Sequence, residues 1–227
     1  MVERIADGLW RIDCQTRDKP NAYLLDDEGD LTLVDAGWPD DARTIRRGIE
    51  DAGFTLSEID RVLLTHYDID HVGSLGRLTP ELRAPIFVHY FDAPYVAGEQ
   101  LPPWTARIGI EAIHRLLYRR LDLPDLPIQR VDGGDAVGGF EIVHTPGHTP
   151  GHVAYVHEER DAVFLGDLAF GWGDGLKLAD WITSYDATEA KASARGLLNQ
   201  VGAFEHVCPG HGPVLGDGDT RLRDAVE

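Results

Sequence analysis

The residues of this chain that could do chemistry are concentrated in one short segment. Between positions 63 and 73 an apolar run leads into four potential metal ligands within six residues, His66, Asp68, Asp70 and His71. In an extended loop alternate side chains point the same way, so the side chains at 66, 68 and 70 can converge while His71 takes an adjacent position. Packing two carboxylates and two imidazoles together at a strand end leaves repulsion between the like charges, and a divalent cation relieves that repulsion. The segment therefore allows two neighbouring metal sites.

The elements that must position this segment are short β-type runs and amphipathic helices. Helices are predicted at residues 40–52, where Ile45 and Ile49 lie four apart between Pro39 and Gly53, and at residues 186–201. Runs of strand character separated by turn residues occur at 9–12, 22–25, 31–34, 61–64, 86–88, 141–143, 153–156 and 162–165. Hairpin-like strands followed by helices and more strands predict an α/β fold of two packed sheets with helices outside, an αββα sandwich.

The domain organisation expected is a single domain over residues 1–227, because no repeat, low-complexity tract or linker divides the chain. One local break in composition spans about residues 91–127. It carries Pro94, Pro102, Pro103 and Trp104 and then a helical stretch at 108–121. We interpret it as a helical insertion, which is either a lid over a substrate site or one more packing helix.

Four other segments join the ligand-rich loop in a recognisable order. They are Leu-Val-Asp-Ala-Gly at 33–37, His-Thr-Pro-Gly-His-Thr-Pro-Gly-His at 144–152, Phe-Leu-Gly-Asp at 164–167 and Cys-Pro-Gly-His-Gly at 208–212. With the loop at 66–71, the five segments resemble the motifs of the metallo-β-lactamase superfamily, whose metal loop reads HxHxDH. The resemblance covers most of the chain and implies the four-layer αββα sandwich of that superfamily. It also implies a hydrolase related to glyoxalase II enzymes and lactonases.

By this resemblance two metal ions share one site. One ion is held by two histidines and the residue at position 68, the other by a carboxylate and two histidines, with an aspartate between them. The implied ligands are His66, Asp68 and His148 for the first ion, Asp70, His71 and His211 for the second, and Asp167 as the bridge. Asp70 would also act in catalysis by holding the nucleophile in line.

Supporting residues are also expected around the ligands. Asp35 is a candidate for orienting the metal loop, although packing or a helix cap would explain it equally well. His152 is expected to make a structural hydrogen bond beneath the site rather than to bind metal.

The chain departs from the family pattern at position 68, where Asp68 replaces the usual histidine and gives HxDxDH. A carboxylate is a harder ligand than imidazole and favours manganese and iron more than a histidine would. Zinc is still the metal expected, with manganese and iron as alternatives. An acidic residue here also occurs in the flavodiiron branch, which supplies a rival function, a di-iron oxidoreductase. Those proteins need a flavin-binding partner domain, and about sixteen residues follow His211, so we rank this alternative below hydrolysis. A non-catalytic metal-binding module is the third possibility.

The reaction that the resemblance implies is attack by a metal-bridging hydroxide on the carbonyl of an ester, lactone or thioester. Tyr67 or Tyr185 could stabilise the developing oxyanion, or serve as core residues. Aromatic residues of the predicted insertion suggest an apolar cover over the mouth of the site. They are Phe91, Tyr95, Trp104 and Tyr118.

The charge balance argues against nucleic acid as a partner, because 39 acidic residues oppose 21 basic ones for a net charge of −18. Asp outnumbers Glu by 26 to 13, and three lysines accompany eighteen arginines. This pattern is typical of a halophilic surface, and a high-GC genome would also replace lysine by arginine. A small-molecule substrate is the expected partner.

The compartment expected is the cytoplasm. No apolar run approaches the roughly 20 residues that span a bilayer, and residues 1–5 lead directly into amphipathic sequence without a signal peptide. Cys14 and Cys208 are expected to be buried thiols.

Overall fold

The strands of this chain form two sheets and a separate hairpin. The computed structural model describes residues 1–16, 18–103 and 107–227, with the backbone alone at 108 and 110. The first sheet contains β1 (Val2–Ala6), β2 (Leu9–Asp13), β3 (Asn21–Asp27), β4 (Asp30–Val34), β5 (Arg61–Leu63), β6 (Ile86–His89) and β7 (Ile128–Val131) in that spatial order. The second sheet contains β8 (Ala136–Val137), β9 (Phe140–His144), β10 (Val153–His157) and β11 (Ala162–Gly166). The separate hairpin consists of β12 (Ala169–Trp172) and β13 (Gly175–Leu178). The last strand, β14 (His206–Pro209), joins the second sheet beside β11.

The helices lie between and after these strands. They are α1 (Ala42–Asp51), α2 (Ile69–Val72), α3 (Leu75–Leu78), α4 (Ala93–Val96), α5 (Ile110–Tyr118), α6 (Ala187–Val201) and α7 (Gly218–Val226). Short 3-10 turns occur at Pro39–Asp41, Leu56–Glu58, Arg107–Gly109 and Glu158–Arg160.

Three apolar clusters define the layers. The cluster between the sheets joins both of them through residues such as Leu25, Phe140 and Phe164. A second cluster packs α1 against the outer face of the first sheet, and a third packs α6 and α7 against the outer face of the second. Because each sheet is covered on both faces, β10 and β11 are buried at every position instead of alternating. The order helices, sheet, sheet, helices confirms the predicted αββα sandwich.

The two predicted surface helices are confirmed with shorter bounds. The stretch 40–52 forms α1, and the stretch 186–201 forms α6, which begins after Asp186. The Asp186 carboxylate accepts hydrogen bonds from the backbone N–H groups of Thr188 and Glu189 at 2.8 and 3.0 Å, and so caps the helix. The segment 91–127 contains α4 and α5, and α5 ends at Tyr118, three residues before the predicted end.

Strand direction brings the chemical motifs to one edge of the sandwich. Strands β4 and β5 are parallel, as are β11 and β14, and β9 runs in the same direction as β11 because both are antiparallel to β10. Within each sheet these strands therefore end at one edge, and each is followed within a few residues by one of the sequence motifs. The two edges meet, because His71 after β5 lies 3.3 Å from Asp167 after β11. No helix in the described ranges is long and apolar enough to cross a membrane. Both cysteines are buried free thiols, as expected.

Candidate metal centre

Asp35, directly after β4, holds the metal loop in place. It adopts a φ of 58°, a left-handed conformation that aspartate tolerates better than most residues. Its Oδ1 accepts the backbone N–H of Thr65 at 2.9 Å, and its Oδ2 accepts the Thr65 hydroxyl at 2.8 Å. The same Oδ2 lies 2.8 Å from Nδ1 of His71, so Nε2 of that ring faces the cluster. Asp35 therefore contacts both Thr65 and His71 of the metal loop, as a residue that orients this loop would.

His152 lies beneath the cluster and supports it, as predicted. Its Nε2 accepts the backbone N–H of Asp167 at 3.1 Å, and its Nδ1 lies 2.9 Å from the Thr145 hydroxyl. These two contacts tie the loop after β11 to the loop after β9. His152 therefore positions Asp167, and it is absent from every group of side chains in the described residues that could hold an ion.

Four ligand atoms converge in a tight group formed by Asp70, His71, Asp167 and His211. His71 Nε2 lies 3.6 Å from Asp70 Oδ2 and 3.3 Å from Asp167 Oδ1. His211 Nε2 lies 3.3 and 3.4 Å from the same two oxygens. Ligands about 2.0–2.2 Å from a tetrahedral zinc ion are separated by about 3.3–3.6 Å, so the spacing matches a metal site. Buried His71 Nε2 and Asp167 Oδ1 have no hydrogen-bond partner, which an ion would supply.

A second group, His66, His148 and Asp167, adjoins the first. Nε2 of His66 is buried without a hydrogen-bond partner. Nε2 of His148 lies 3.7 Å from Asp167 Oδ2, whereas Oδ1 of the same carboxylate faces the first group. Asp167 therefore presents one oxygen to each group, the arrangement that a bridging ligand requires.

Asp68 lies beside the second group, but its carboxylate already forms a salt bridge with Arg107. Its Oδ2 is 3.2 Å from His148 Nε2 and 3.6 Å from His66 Nε2, distances that fit a shared ion. The guanidinium of Arg107 donates to both carboxylate oxygens, with Nη1 2.5 Å from Oδ2 and Nη2 2.7 Å from Oδ1. His114 Nδ1 lies 3.3 Å from Oδ1. The sequence interpretation missed Arg107 and gave His114 no role.

Arg107 belongs to a buried polar network that links the segment before α5 to the metal loop. Its Nε lies 2.7 Å from Oε1 of Glu111, and Nη2 contacts the same oxygen. The Tyr67 hydroxyl donates to that oxygen at 2.9 Å and lies 2.8 Å from the Tyr185 hydroxyl. The spacing of Glu111 and His114, three residues apart on α5, was a signal in the sequence, because such residues share a helix face; Arg107 precedes the helix and falls outside that pattern.

Burial and neighbouring charges shift the pKa values of the residues in both groups of potential ligands. Burial lowers the pKa of His66 to about 4, helped by the charge of His71. Burial also opposes ionisation of Asp70, but His71 and His211 hold its pKa at about 2. Burial by itself would lower the pKa of His71 and of His211. Asp167 and the neighbouring carboxylates outweigh burial and raise the pKa of both rings well above the ordinary range. Metal binding would therefore release protons from these rings.

A cavity of about 520 Å³ opens over the cluster. Its polar floor includes Asp70, Asp167 and His211, and an apolar wall is formed by Trp38, Phe170 and Trp172. The wall combines the loop after β4 with the β12–β13 hairpin, so it comes from two distant parts of the chain.

The predicted aromatic cover from the segment 91–127 is wrong for the residues that can be assessed. Phe91, Tyr95 and Tyr118 do not line the cavity, and Trp104 lies outside the described residues. Tyr95 and Tyr118 pack instead against the ring of Tyr67, with ring centroids 4.4 and 6.3 Å away. Periodicity could not distinguish these packing aromatics from a cover, because both are apolar.

Comparison with known sequences identifies the class of protein. The family model of the metallo-beta-lactamase superfamily matches residues 16–211, and this chain belongs to that superfamily. Hydroxyacylglutathione hydrolase GloC of Haemophilus influenzae is 32% identical over 154 residues, which are 68% of this chain and 68% of that protein. The resemblance to this superfamily that the sequence motifs suggested is confirmed.

Solved structures agree with the fold. TTHA1623, determined in a di-iron-bound form, is 28% identical with a TM-score of 0.68, and the match covers 90% of this chain and 93% of that one. The rubredoxin oxygen:oxidoreductase of Desulfovibrio gigas has a TM-score of 0.72 at 19% identity, covering 100% of this chain and 60% of that one. The second likeness shows the fold alone.

Proposed function

We propose that this chain is a metal-dependent hydrolase that acts on the carbonyl of an ester, lactone or thioester. The observation that carries the proposal is the tetrahedral spacing of the Asp70, His71, Asp167 and His211 ligand atoms at the floor of an open cavity. The similarity to a hydroxyacylglutathione hydrolase supports it, since hydroxyacylglutathione is a thioester.

The proposed cofactors are two divalent ions, with zinc first and manganese or iron as alternatives because of Asp68. When bound, such ions supply Lewis acidity toward the substrate carbonyl and make water a stronger acid. The residues proposed to hold them are His66, Asp68 and His148 on one side, Asp70, His71 and His211 on the other, and Asp167 between.

The chain's own residues would then act on substrate and water. The Asp70 carboxylate faces the cavity and is held ionised beside two histidines, so it can accept a hydrogen bond from the attacking water and fix its direction. Trp38, Phe170 and Trp172 offer an apolar surface to the acyl group or leaving group and exclude bulk water from one side. Tyr67 is a poor candidate for the oxyanion role, since its hydroxyl bonds Glu111 away from the cavity.

Hydrolysis of three substrate types tests the proposal: 4-nitrophenyl acetate, a γ-lactone and S-lactoylglutathione. We expect zinc-loaded protein to hydrolyse at least one of them and Asp70→Ala to lose about 10²–10³-fold in kcat, the loss usual for one catalytic group. Asp224→Ala is the matched control, because this carboxylate is exposed on α7. Equal rates for wild type and Asp70→Ala would refute the assignment of Asp70, and zinc-loaded, folded protein inactive on all three would refute the proposed class.

The di-iron oxidoreductase stays second. The carboxylate at Asp68 favours it, but both oxygens of that carboxylate are engaged by Arg107. Two retained irons, with dioxygen consumption in the presence of a flavoprotein electron donor, would support it over hydrolysis. Protein that stays folded and inert without any metal would instead support a non-catalytic module.

A further inference from the structure

A buried salt bridge joins the segment before α5 to the metal loop. Both amino groups of the Arg107 guanidinium donate to Asp68, and the two side chains are 1% and 6% exposed. Parallel N–H···O bonds of this kind are the strongest arginine–carboxylate geometry. The backbone φ of Arg107 is 37°, which a residue with a Cβ rarely adopts. The pairing is therefore held in place despite an unfavourable backbone conformation.

The same guanidinium engages a histidine that would hold metal. Nη1 of Arg107 lies 3.3 Å from Nε2 of His148. A guanidinium has only N–H donors, so this contact is a hydrogen bond in the tautomer whose Nε2 carries the lone pair, whereas the tautomer with a proton on Nε2 donates instead to Asp68 Oδ2 at 3.2 Å. That lone pair is the one a metal ion needs. While this contact persists, His148 cannot bind an ion through Nε2, and Asp68 has both oxygens engaged.

The neighbouring ligand group is untouched by this arginine. In the described part of the chain, the hydrogen bonds of Arg107 reach Asp68, Glu111, His148 and the Thr183 carbonyl. None of them reaches the four atoms of the Asp70–His211 group. The two halves of the centre are thus unequal: Arg107 contacts none of the four ligand atoms of the Asp70–His211 group, whereas the other group shares its ligands with this positively charged side chain.

We propose that Arg107 competes with the metal ion for Asp68 and His148, so that the chain holds one ion tightly and a second only when Arg107 withdraws. The inference rests on the metal centre of the proposed function. Glu111 provides the position for the withdrawn state, because it already accepts from Nε and Nη2 of the guanidinium. A divalent ion arriving beside Asp68 would also repel the guanidinium charge. The second metal position is therefore gated by a side chain of the segment 91–127.

Zinc affinity measured by competition with a chromophoric chelator tests the gate without an activity assay. We expect wild type to bind one zinc tightly and a second at least about tenfold more weakly, and Arg107→Met to reduce that gap by about tenfold or more. Methionine keeps much of the apolar stem and removes the donors. Lys177→Met is the matched control, since Lys177 lines the same cavity but pairs with Asp180 at 3.7 Å.

Asp68→Asn, alone and in the Arg107→Met background, completes a double-mutant cycle. With Arg107 present, the Asp68 change should alter the second zinc constant little; without Arg107, it should weaken that constant about tenfold, since the carboxylate is then free to bind. Thermal unfolding of each zinc-free variant checks that it folds.

Three results would overturn the proposed gate alone, and a fourth would also overturn the proposed function. Two equally tight zinc ions in wild type, equal shifts for Arg107→Met and Lys177→Met, or additive effects in the cycle would each overturn the gate while leaving the hydrolase proposal standing. A folded wild type that binds no zinc, manganese or iron would overturn the gate and the proposed function together.

Discussion

Oδ2 of Asp35 lies 2.8 Å from Nδ1 of His71, and this contact fixes which nitrogen of the ring faces the metal centre. Asp35→Asn replaces a carboxylate by an amide that cannot accept equally from Thr65 and His71. We expect zinc affinity at the Asp70–His211 group to fall about 10–100-fold, the usual effect of losing a partner that orients a ligand. Chelator competition measures it. Asp60→Asn is the control, because Asp60 accepts only the backbone N–H of Leu31 in the described residues, and an equal loss in both variants would contradict the role of Asp35.

The two exposed tryptophans near the cavity differ in whether they line it. Trp172 lines the cavity, whereas Trp181 does not, although their exposures are similar at 75% and 65%. Trp172→Ala should raise KM for an aryl or long-chain ester about three- to tenfold with little change in kcat, since it removes apolar contact made equally in ground and transition states. Trp181→Ala should leave both parameters unchanged. Equal effects on KM would remove the β12–β13 hairpin from the substrate site.

Asp92 connects the start of α4 to two metal-ligand loops. It is fully buried and accepts from the Thr149 hydroxyl at 2.7 Å and from the backbone N–H groups of Gly151 and Tyr67 at 2.9 and 3.2 Å. Burial raises the pKa of Asp92 to about 7, with the charge of Asp68 acting in the same direction and the hydrogen bonds opposing it.

The sign of the resulting pH effect follows from that pKa. The folded state binds the proton more tightly than the unfolded chain, whose value is 3.8, so unfolding releases a proton between these values. The contribution of Asp92 to stability is thus full below pH 4 and lost as the pH rises to about 7. The free energy of unfolding of the wild type should therefore fall, relative to that of Asp92→Asn, as the pH rises from 5 to 8. Urea titrations at these pH values measure the difference, and a pH-independent difference would contradict the buried, raised pKa.

Gly210 allows the last ligand loop to approach Asp167. A Cβ at this position would lie 2.2 Å from Asp167 Oδ1 and 2.8 Å from His71 Cε1. Gly210→Ala should therefore displace the Asp167 carboxylate, the proposed bridging ligand, and reduce zinc retention by about tenfold or more. A Cβ at Gly196 on α6 meets nothing within 4 Å, so Gly196→Ala should retain zinc and gain up to about 1 kcal/mol of stability. Full zinc retention in Gly210→Ala would show that the loop tolerates the shift.

Much of the centre could be predicted because its ligands follow strand ends. Asp167 and His211 follow the parallel strands β11 and β14, and parallel strands deliver their carboxyl ends to the same edge of a sheet. Asp35 follows β4 of the other sheet, so its place beside them depends on how the two sheets pack. The positions of α1 and α6 were predictable from the sequence, in α1 from apolar residues spaced four apart. Their ends differ by a few residues because capping contacts such as those of Asp186 decide them.

The rest depended on contacts between residues far apart in the chain. Arg107 meets Asp68 across 39 positions, and no motif sets the path of the segment that carries it. The apolar wall joins Trp38 to Phe170 and Trp172, so it exists only after folding. The halophilic surface expected from the charge composition stays a prediction, as does the cytoplasmic location expected from the N-terminal sequence.

The central claim is that hydrolysis by this chain depends on metal held by the Asp70–His211 group. The most direct measurement is the rate of ester or thioester hydrolysis during titration of zinc into chelator-stripped protein, with metal content determined on the same samples. We predict no activity in the stripped, folded protein and a rate that rises with bound zinc in wild type but not in Asp70→Ala. Hydrolysis that persists unchanged in the stripped protein would contradict the claim.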